Sequence, residues 1–276
     1  MLTWPHNPPA LRKPKALLLD LDGTLYRGEE PVPGAGRLVR ELEALGLPCW
    51  FVTNNSTRTP LQVAEHLRSL GIPAAPEQVA TSAQATAEYA RERYPNANVY
   101  VMGEHGLREA MREAGFEWEE GRPAKLVVQG IDRQLTYDRL AEAQLHLANG
   151  AAFVVTNPDR QLPVAGRVLP GAGSIAAALE AASGVRPTIV GKPSPILMDF
   201  ALKRAGVSAE DAWVVGDNPR TDIAAGLAIG SPAVLVLTGL CSAEDWRQRC
   251  DDAGAMPDAV CRGLAELEQY VKSVIA

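Results

Sequence analysis

The chain has 276 residues, of which 46% are apolar and 22% are charged, as in globular proteins with one large domain or two modest ones. Its formal net charge of −6 argues against general nucleic-acid binding and against binding to anionic membranes. No apolar run approaches the roughly 18 residues that a membrane-spanning helix needs, so no membrane association is expected.

The four cysteines predict a reduced protein. Cys49, Cys241, Cys250 and Cys261 form no Cys-x-x-Cys pair and no His cluster accompanies them, so a zinc site is not expected. Cys49 lies in an apolar run and is predicted to be a core residue. Residues 1–9 are polar and broken by prolines, which predicts a loose leader rather than a signal peptide. These features favour a cytoplasmic location.

Strand-like and helix-like segments alternate along the chain, which predicts an α/β fold with a mainly parallel sheet. The predicted strands are 16–20, 49–53, 98–102, 125–129, 152–156, 187–190, 212–216 and 233–237. The predicted helices are 36–45, 60–70, 83–93, 106–114, 137–149, 174–183, 195–205, 221–229 and 263–275. Glycines that would cap helices in the left-handed conformation follow at Gly46, Gly71, Gly115, Gly150, Gly184, Gly206 and Gly230.

The first predicted strand ends in two carboxylates, Asp20 and Asp22, and Gly23 and Thr24 then favour a sharp turn. A carboxylate at the tip of a buried strand costs free energy unless it binds a cation or takes part in chemistry. We interpret Asp20 as a nucleophile and metal ligand, and Asp22 as the group that gives and takes a proton. The alternative is an acidic turn without a chemical role.

The second predicted strand ends in a hydroxyl at Thr53, and the polar residues Asn54 and Asn55 follow it. Exposed backbone N–H groups in such a turn can hold a phosphate. The alternative is a helix cap, for which Thr57 or Thr59 is suitably placed.

A lysine, Lys192, comes directly after the predicted strand 187–190. A lysine at this place can neutralise a carboxylate–phosphate pair. A solvated loop lysine is the alternative.

The predicted strand 212–216 again ends in an acid, Asp217, and Asp222 opens the next helix. Asp217 could complete a site for a hard cation with Asp20, and Asp222 could support that site. Helix capping by Thr221 or Asp222 is the alternative.

All four motifs follow predicted strands, and loops at the carboxyl ends of parallel strands converge on one crevice. In this order the motifs resemble those of the haloacid dehalogenase (HAD) superfamily of phosphatases. The matching segments are Asp20-Leu21-Asp22-Gly23-Thr24, then Thr53, Lys192, and Gly216-Asp217 with Asp222. Thr53-Asn54-Asn55-Ser56-Thr57 further resembles the p-nitrophenyl-phosphatase-like branch (subfamily IIA). That branch includes nucleotide, phosphoglycolate and pyridoxal phosphate phosphatases.

The resemblance implies a Rossmann-like, parallel-sheet core with a large inserted α/β cap. The core would comprise residues 1–82 and 187–276, and the cap residues 83–186. Strands 125–129 and 152–156 would then belong to the cap. A homodimer is expected because relatives often pair through this cap.

The resemblance also implies a mechanism for small phosphorylated metabolites. Asp20 would attack phosphorus and form an aspartyl-phosphate, while Asp22 would protonate the leaving oxygen and then deprotonate water. Mg²⁺ would lie between Asp20, the backbone carbonyl of Asp22, Asp217 and the phosphate, with Asp222 supporting the site.

The remaining motif residues would bind the phosphoryl group and neutralise its negative charge. Thr53 and the N–H groups of Asn54 and Asn55 would hold the phosphoryl oxygens, and Lys192 would offset negative charge. Two alternatives share these residues: a phosphotransferase or phosphomutase, and a non-catalytic protein that binds phosphorylated metabolites.

A specificity loop is expected over residues 157–168, by family resemblance. Arg160 in this loop could meet a second anionic group of the substrate. Asp132 and Arg133, which follow another cap strand, are similar candidates for substrate binding. For both groups the alternative is a solvated loop side chain.

Overall fold

The computed structural model describes residues 11–118, 122–164 and 167–275. By its internal contacts the chain divides into two compact units. The first holds the described residues up to Val52, Ala64–Val79 and the described residues from Met198 onward, and the second holds Thr53–Val63 and Ala80–Leu197. The core and cap boundaries expected from the resemblance stay a prediction, and the predicted leader lies outside the described residues.

The described strands and helices largely alternate, with runs of three strands within residues 16–31 and 152–170. The strands are β1 (Ala16–Leu19), β2 (Tyr26–Arg27), β3 (Glu30–Pro31), β4 (Cys49–Thr53), β5 (Val79–Thr81), β6 (Val99–Met102), β7 (Leu126–Gln129), β8 (Ala152–Val155), β9 (Gln161–Val164), β10 (Arg167–Pro170), β11 (Thr188–Ile189), β12 (Ala212–Gly216), β13 (Ala233–Val236) and β14 (Ala259–Cys261). The helices are α1 (Ala35–Ala44), α2 (Pro60–Ser69), α3 (Ser82–Arg93), α4 (His105–Glu113), α5 (Tyr137–Ala148), α6 (Ala172–Ser183), α7 (Pro195–Ala205), α8 (Ala224–Ile229), α9 (Trp246–Ala253) and α10 (Leu264–Ile275).

The main sheet confirms the predicted α/β fold. Its strand order is β14-β13-β12-β1-β4-β5, and β1 runs parallel to both of its neighbours. In this register Leu19 of β1 lies opposite Val215 of β12 and Phe51 of β4. All four residues of β1 are buried, as expected for a parallel strand that is covered on both faces. The strand ends that carry Asp20 and Asp217 are therefore neighbours.

The second unit contains a smaller sheet, in the order β11-β8-β7-β6. Its pairs are also parallel. One core of this unit combines residues of β6, β7 and β8 with residues of α5 and α6, among them Met102, Val127, Phe153, Leu147 and Leu179. A short antiparallel hairpin of β9 and β10 follows β8.

The predicted elements are all present, and their ends differ by at most two residues with one exception. The exception is the helix predicted over 221–229, where a π-helical turn over Pro219–Ile223 precedes α8. The seven predicted capping glycines all adopt positive φ, between 67° and 88°. The sequence did not predict β2, β3, β5, β9, β10, β14 or α9.

The four cysteines are buried free thiols. Cys49 is fully buried, which confirms that it is a core residue. Burial raises the pKa of Cys49 and of Cys261 to about 12. Within the described ranges, no helix has both the length and the apolar character needed to cross a membrane.

Candidate active site

The carboxylate of Asp20 is placed by the strand that precedes it. The Asp20 N–H donates to Val215 O at 2.9 Å, which continues the pairing of β1 with β12 by one residue. Its Oδ2 accepts a hydrogen bond of 3.1 Å from Thr24 Oγ1. Between them, Gly23 adopts φ of 86°, a left-handed conformation that lets the chain turn back at this point. Asp20 is consequently held half-buried at the carboxyl end of the sheet.

Asp217 follows β12 and is only 5% exposed. Its Oδ2 accepts a hydrogen bond of 2.6 Å from Leu240 N. A Cβ atom at Gly23 would lie 2.7 Å from the Asp217 Cγ, and one at Gly239 would overlap the same carboxylate. Two glycines therefore make room for this acid.

Asp222 is 1% exposed and lies in the π-helical turn. Its Oδ2 accepts a hydrogen bond of 3.1 Å from Asn218 N, and a Cβ atom at Gly216 would overlap its side chain. The cap of this turn is Asn218, whose side chain accepts a hydrogen bond from Arg220 N at 3.0 Å. Asp222 therefore takes part in capping this turn by accepting from the backbone of Asn218, as the alternative allowed, while the side chain of Asn218 provides the other capping bond.

The three acids form one cluster, in which oxygens of Asp20, Asp217 and Asp222 lie within 4.8 Å of one another. Three negative charges at this spacing repel each other strongly where water is excluded. A hard divalent cation would offset the repulsion, and carboxylate oxygens are the ligands that it prefers. The donor set thus fits a cation such as Mg²⁺. Among the described residues, the side chain of Asp22 does not belong to this cluster.

Asp22 is exposed at the turn beyond β1. Its Oδ2 accepts a hydrogen bond of 3.2 Å from Tyr26 OH. An exposed carboxylate beside the cluster is accessible for proton transfer.

The second unit contains a different polar group, centred on the side chain of Asn54. Asn54 Oδ1 accepts from Lys192 N at 2.8 Å, and Asn54 Nδ2 donates to Lys192 O at 3.0 Å. The same Nδ2 donates to Asp159 Oδ2 at 3.1 Å. The backbone carbonyl of Asn54 accepts from Ser82 Oγ and Asn157 Nδ2 at 2.7 and 2.9 Å. Asn54 thus joins Lys192 to the segment that follows β8.

Lys192 is 3% exposed, so the alternative of a solvated loop lysine is wrong. A lysine is rarely buried to this extent unless its charge has a partner. The close fit extends to the preceding residue, because a Cβ atom at Gly191 would lie 2.6 Å from Asn54 Oδ1.

The residues beside Asn54 form a local turn. Thr53 is 3% exposed, and its Oγ1 accepts a hydrogen bond of 3.0 Å from Asn55 N. Asn55 Oδ1 accepts from Thr57 N at 2.8 Å. The N–H of Asn55 would have to give up its bond to Thr53 in order to hold a phosphate. The cap of α2 is Thr59, which exchanges hydrogen bonds with Gln62 at 3.0 and 3.3 Å.

The described contacts of two predicted cap residues are with other residues of the second unit. Asp132 is 6% exposed, and its carboxylate contacts Arg139 at 2.6 Å and Gln134 N at 3.0 Å. These contacts indicate that Asp132 stabilises the loop after β7. Arg133 is exposed and contacts Glu104 at 2.8 Å.

The predicted specificity loop contains a hairpin. Residues 157–168 cover the segment after β8, all of β9 and the first two residues of β10. Residues 165 and 166 lie outside the described residues. Arg160 is exposed at the start of this hairpin, and its backbone carbonyl accepts from Gly171 N at 2.9 Å and from Ser174 Oγ at 2.6 Å. The Arg160 side chain is thus placed on the surface of the second unit.

Sequence reasoning did not predict the contacts that five residues make with these acids and with Asn54: Thr24, Tyr26, Ser82, Asn157 and Asp159. Thr24 and Tyr26 each lie four residues after the acid that they contact, which is a signal that the sequence carries. Asp159 carries no such signal, since its partner Asn54 is 105 residues away.

Comparisons with known proteins identify the class to which this fold and these residues belong. The model described as haloacid dehalogenase-like hydrolase matches residues 17–117, and a second HAD-hydrolase-like model matches residues 189–267. The chain is 43% identical to an acid sugar phosphatase of Staphylococcus aureus (strain USA300) over 235 residues, which are 85% of this chain and 91% of that protein.

Solved structures show the same likeness. A double mutant of a thermostable NPPase from Geobacillus stearothermophilus superposes with a TM-score of 0.84 at 42% identity, over 92% of this chain and 98% of that one. The p-nitrophenyl phosphatase from Archaeoglobus fulgidus superposes with a TM-score of 0.88 at 36% identity, over 93% and 99%. The chain therefore belongs to the haloacid dehalogenase superfamily, in its p-nitrophenyl-phosphatase-like branch. It is a hydrolase that acts on phosphoric monoester bonds.

Proposed function

We propose that this protein is a Mg²⁺-dependent phosphatase of small phosphomonoesters, which acts through an aspartyl-phosphate on Asp20. The observation that carries the proposal is the cluster of Asp20, Asp217 and Asp222, with oxygens within 4.8 Å of one another at the carboxyl end of the main sheet. The printed names of the relatives, an acid sugar phosphatase and a p-nitrophenyl phosphatase, support sugar phosphates and p-nitrophenyl phosphate as substrates.

In the first half of the proposed reaction, a carboxylate oxygen of Asp20 forms a bond to phosphorus as the ester P–O bond breaks. Asp22 gives its proton to the departing alcohol oxygen. In the second half, Asp22 takes a proton from water, and the water oxygen attacks the phosphorus of the aspartyl-phosphate. The bond between the Asp20 oxygen and phosphorus breaks, inorganic phosphate leaves, Asp20 is again a carboxylate and Asp22 is again protonated.

The charge of the phosphate must be offset for an anionic nucleophile to approach it. Asp20, Asp217, Asp222 and the backbone carbonyl of Asp22 would hold Mg²⁺, which when bound supplies positive charge to the nucleophile and the phosphate. By resemblance to the family, Lys192 offsets further charge.

Binding of the phosphoryl oxygens is proposed for Thr53, Asn54 and Asn55, also by resemblance. Arg160 is the proposed contact for a second anionic group of the substrate, which its exposed position supports. A homodimer and a cytoplasmic location stay predictions.

The proposal is tested by phosphate release from a panel of phosphomonoesters, with Mg²⁺ and with EDTA. The panel contains sugar phosphates, nucleoside monophosphates, phosphoglycolate, pyridoxal phosphate and p-nitrophenyl phosphate. We expect turnover in Mg²⁺, none in EDTA, and none for Asp20→Asn. Asp138→Asn, which changes an exposed acid in α5, is the matched control and should retain activity. Full activity of purified Asp20→Asn would contradict the proposed nucleophile.

A further inference from the structure

Tyr26 is brought to Asp22 by the turn that follows β1. The N–H of Gly23 donates to Tyr26 O at 2.8 Å, and Tyr26 N donates to Leu21 O at 3.3 Å. Residues 22 and 26 form an isolated β-bridge. The chain therefore places the two side chains next to each other, and Tyr26 OH donates to Asp22 Oδ2 at 3.2 Å.

The Tyr26 side chain is fixed by its surroundings. It is 6% exposed, and its ring meets the ring of His66 edge-on, with centroids 5.0 Å apart and planes at 89°. On the backbone, Tyr26 pairs with Pro31 in the hairpin of β2 and β3. Asp22, in contrast, is exposed. A buried, packed hydroxyl donor thus contacts one oxygen of an exposed carboxylate.

We propose that Tyr26 is a positioning residue for the proton transfer by Asp22. Its hydroxyl donates a hydrogen bond to Oδ2 of Asp22. The other oxygen, Oδ1, then faces the substrate and carries the proton that is given to the leaving oxygen. This inference rests on the proposed function, in which Asp22 is the acid. A single hydrogen bond of this kind contributes little to the net stability of the fold, so its main consequence is the orientation of the carboxylate.

The dependence on leaving group separates this role from a structural one. An alkoxide leaves from a sugar phosphate only if it is protonated as the P–O bond breaks, whereas p-nitrophenolate is stable enough to leave unprotonated. A residue that positions the acid therefore matters for sugar phosphates and much less for p-nitrophenyl phosphate. A residue that only stabilises the fold affects both substrates equally.

The test uses Tyr26→Phe, which removes one oxygen and keeps the ring against His66. We expect kcat/KM to fall on the order of tenfold for a sugar phosphate and less than about threefold for p-nitrophenyl phosphate. The ratio of the two values does not depend on the fraction of folded enzyme, because both assays share one active population. Tyr137→Phe, at a side chain that is 83% exposed, is the control and should leave the ratio unchanged.

A second comparison uses Asp22→Asn, alone and combined with Tyr26→Phe. If Tyr26 acts through Asp22, the double variant shows no larger preference for p-nitrophenyl phosphate than Asp22→Asn alone. Equal losses for the two substrates in Tyr26→Phe, or no loss for either, would overturn the inference while leaving the phosphatase proposal intact. A wild-type protein that hydrolyses neither substrate would overturn both.

Discussion

The acidic cluster of the first unit and the Asn54 group of the second are both built where parallel strands end, but they balance charge differently. The cluster brings three carboxylates within 4.8 Å and gives two of them backbone N–H donors, from Leu240 and Asn218. The Asn54 group is centred on a neutral amide that both accepts from and donates to Lys192. The cluster thus brings negative charges together where a cation can bind, whereas the amide of Asn54 fixes the position of the backbone at Lys192.

This difference predicts that only the acidic cluster responds to added metal. A ligand that binds only the folded protein stabilises it, by about 2.7 kcal/mol at 100 times its Kd. The first unit should gain this stability from Mg²⁺, because a bound cation relieves the repulsion among its acids. The hydrogen bonds of Asn54 should contribute the same stability with or without metal.

The largest expected effect is that of Asp217→Asn. An amide oxygen at this position can still accept from Leu240 N, while one of the three negative charges is removed. We expect kcat to fall by roughly 10² or more, and the rise in Tm caused by Mg²⁺ to shrink to a small fraction of the wild-type value. In EDTA the variant should unfold at or above the wild-type Tm, since repulsion is reduced.

Thermal melts of both proteins with Mg²⁺ and with EDTA measure this directly. Asp138→Asn, an exposed acid of α5, is the control for loss of a carboxylate. A Mg²⁺-dependent rise in Tm of the full wild-type size in Asp217→Asn would show that the cation binds elsewhere.

The acidic cluster was predictable from sequence because its signal is local. Asp20 and Asp217 each follow a short apolar run directly, and a buried strand that ends in an acid is informative without knowledge of the fold. The alternative of helix capping by Thr221 or Asp222 holds in part. Asp222 accepts from the backbone N–H of Asn218, but the residue at the cap of the π-helical turn is Asn218, which the sequence analysis did not propose as a cap.

The Asn54 group was not predictable in the same way. Its bonds join residues 105 and 138 positions apart, so they exist only once the second unit has folded. The burial of Lys192 likewise depends on the folded unit, and it contradicts the alternative of a solvated loop lysine. Strands β2 and β3 have two residues each, which is too short for a period of two to be recognised.

The next largest expected effect is that of Asn54→Ala, which leaves the N–H and C=O of Lys192 without these bonds. We expect a loss of about 2 kcal/mol in the free energy of unfolding and a fall in kcat on the order of tenfold, because Lys192 is no longer held. The loss of stability should be the same in Mg²⁺ and in EDTA.

Asn98→Ala is the matched control, because Asn98 also donates to two backbone carbonyls, those of Arg122 and Pro123. Asn98 precedes β6, at the end of the second sheet opposite to the Asn54 group. Its replacement should lower stability and leave kcat unchanged. Urea unfolding and steady-state kinetics separate the two outcomes, and equal effects on kcat would show that Asn54 has no special role.

The smallest expected effect is on stability and concerns Glu268, an acid that is paired with basic side chains of the chain itself. Glu268 is 5% exposed, and its Oε1 contacts Lys272 Nζ at 2.8 Å and Arg37 Nη2 at 3.1 Å. The hydrogen bond from Lys272, with help from Arg37, lowers the pKa of Glu268 despite its burial. Unlike the acidic cluster, this site should not respond to Mg²⁺.

A lowered pKa in the folded state means that Glu268 stabilises the protein above the unfolded-state pKa of about 4.3, and that this stabilisation is lost as the pH falls through the folded-state value. Glu268→Gln should therefore cost about 1 kcal/mol at pH 7, equally with Mg²⁺ and with EDTA, and progressively less below about pH 4. Glu41→Gln removes a more exposed partner of the same Lys272 and should cost less. Urea unfolding across pH measures both, and a cost for Glu268→Gln that grows as the pH falls would contradict the sign of this pKa shift.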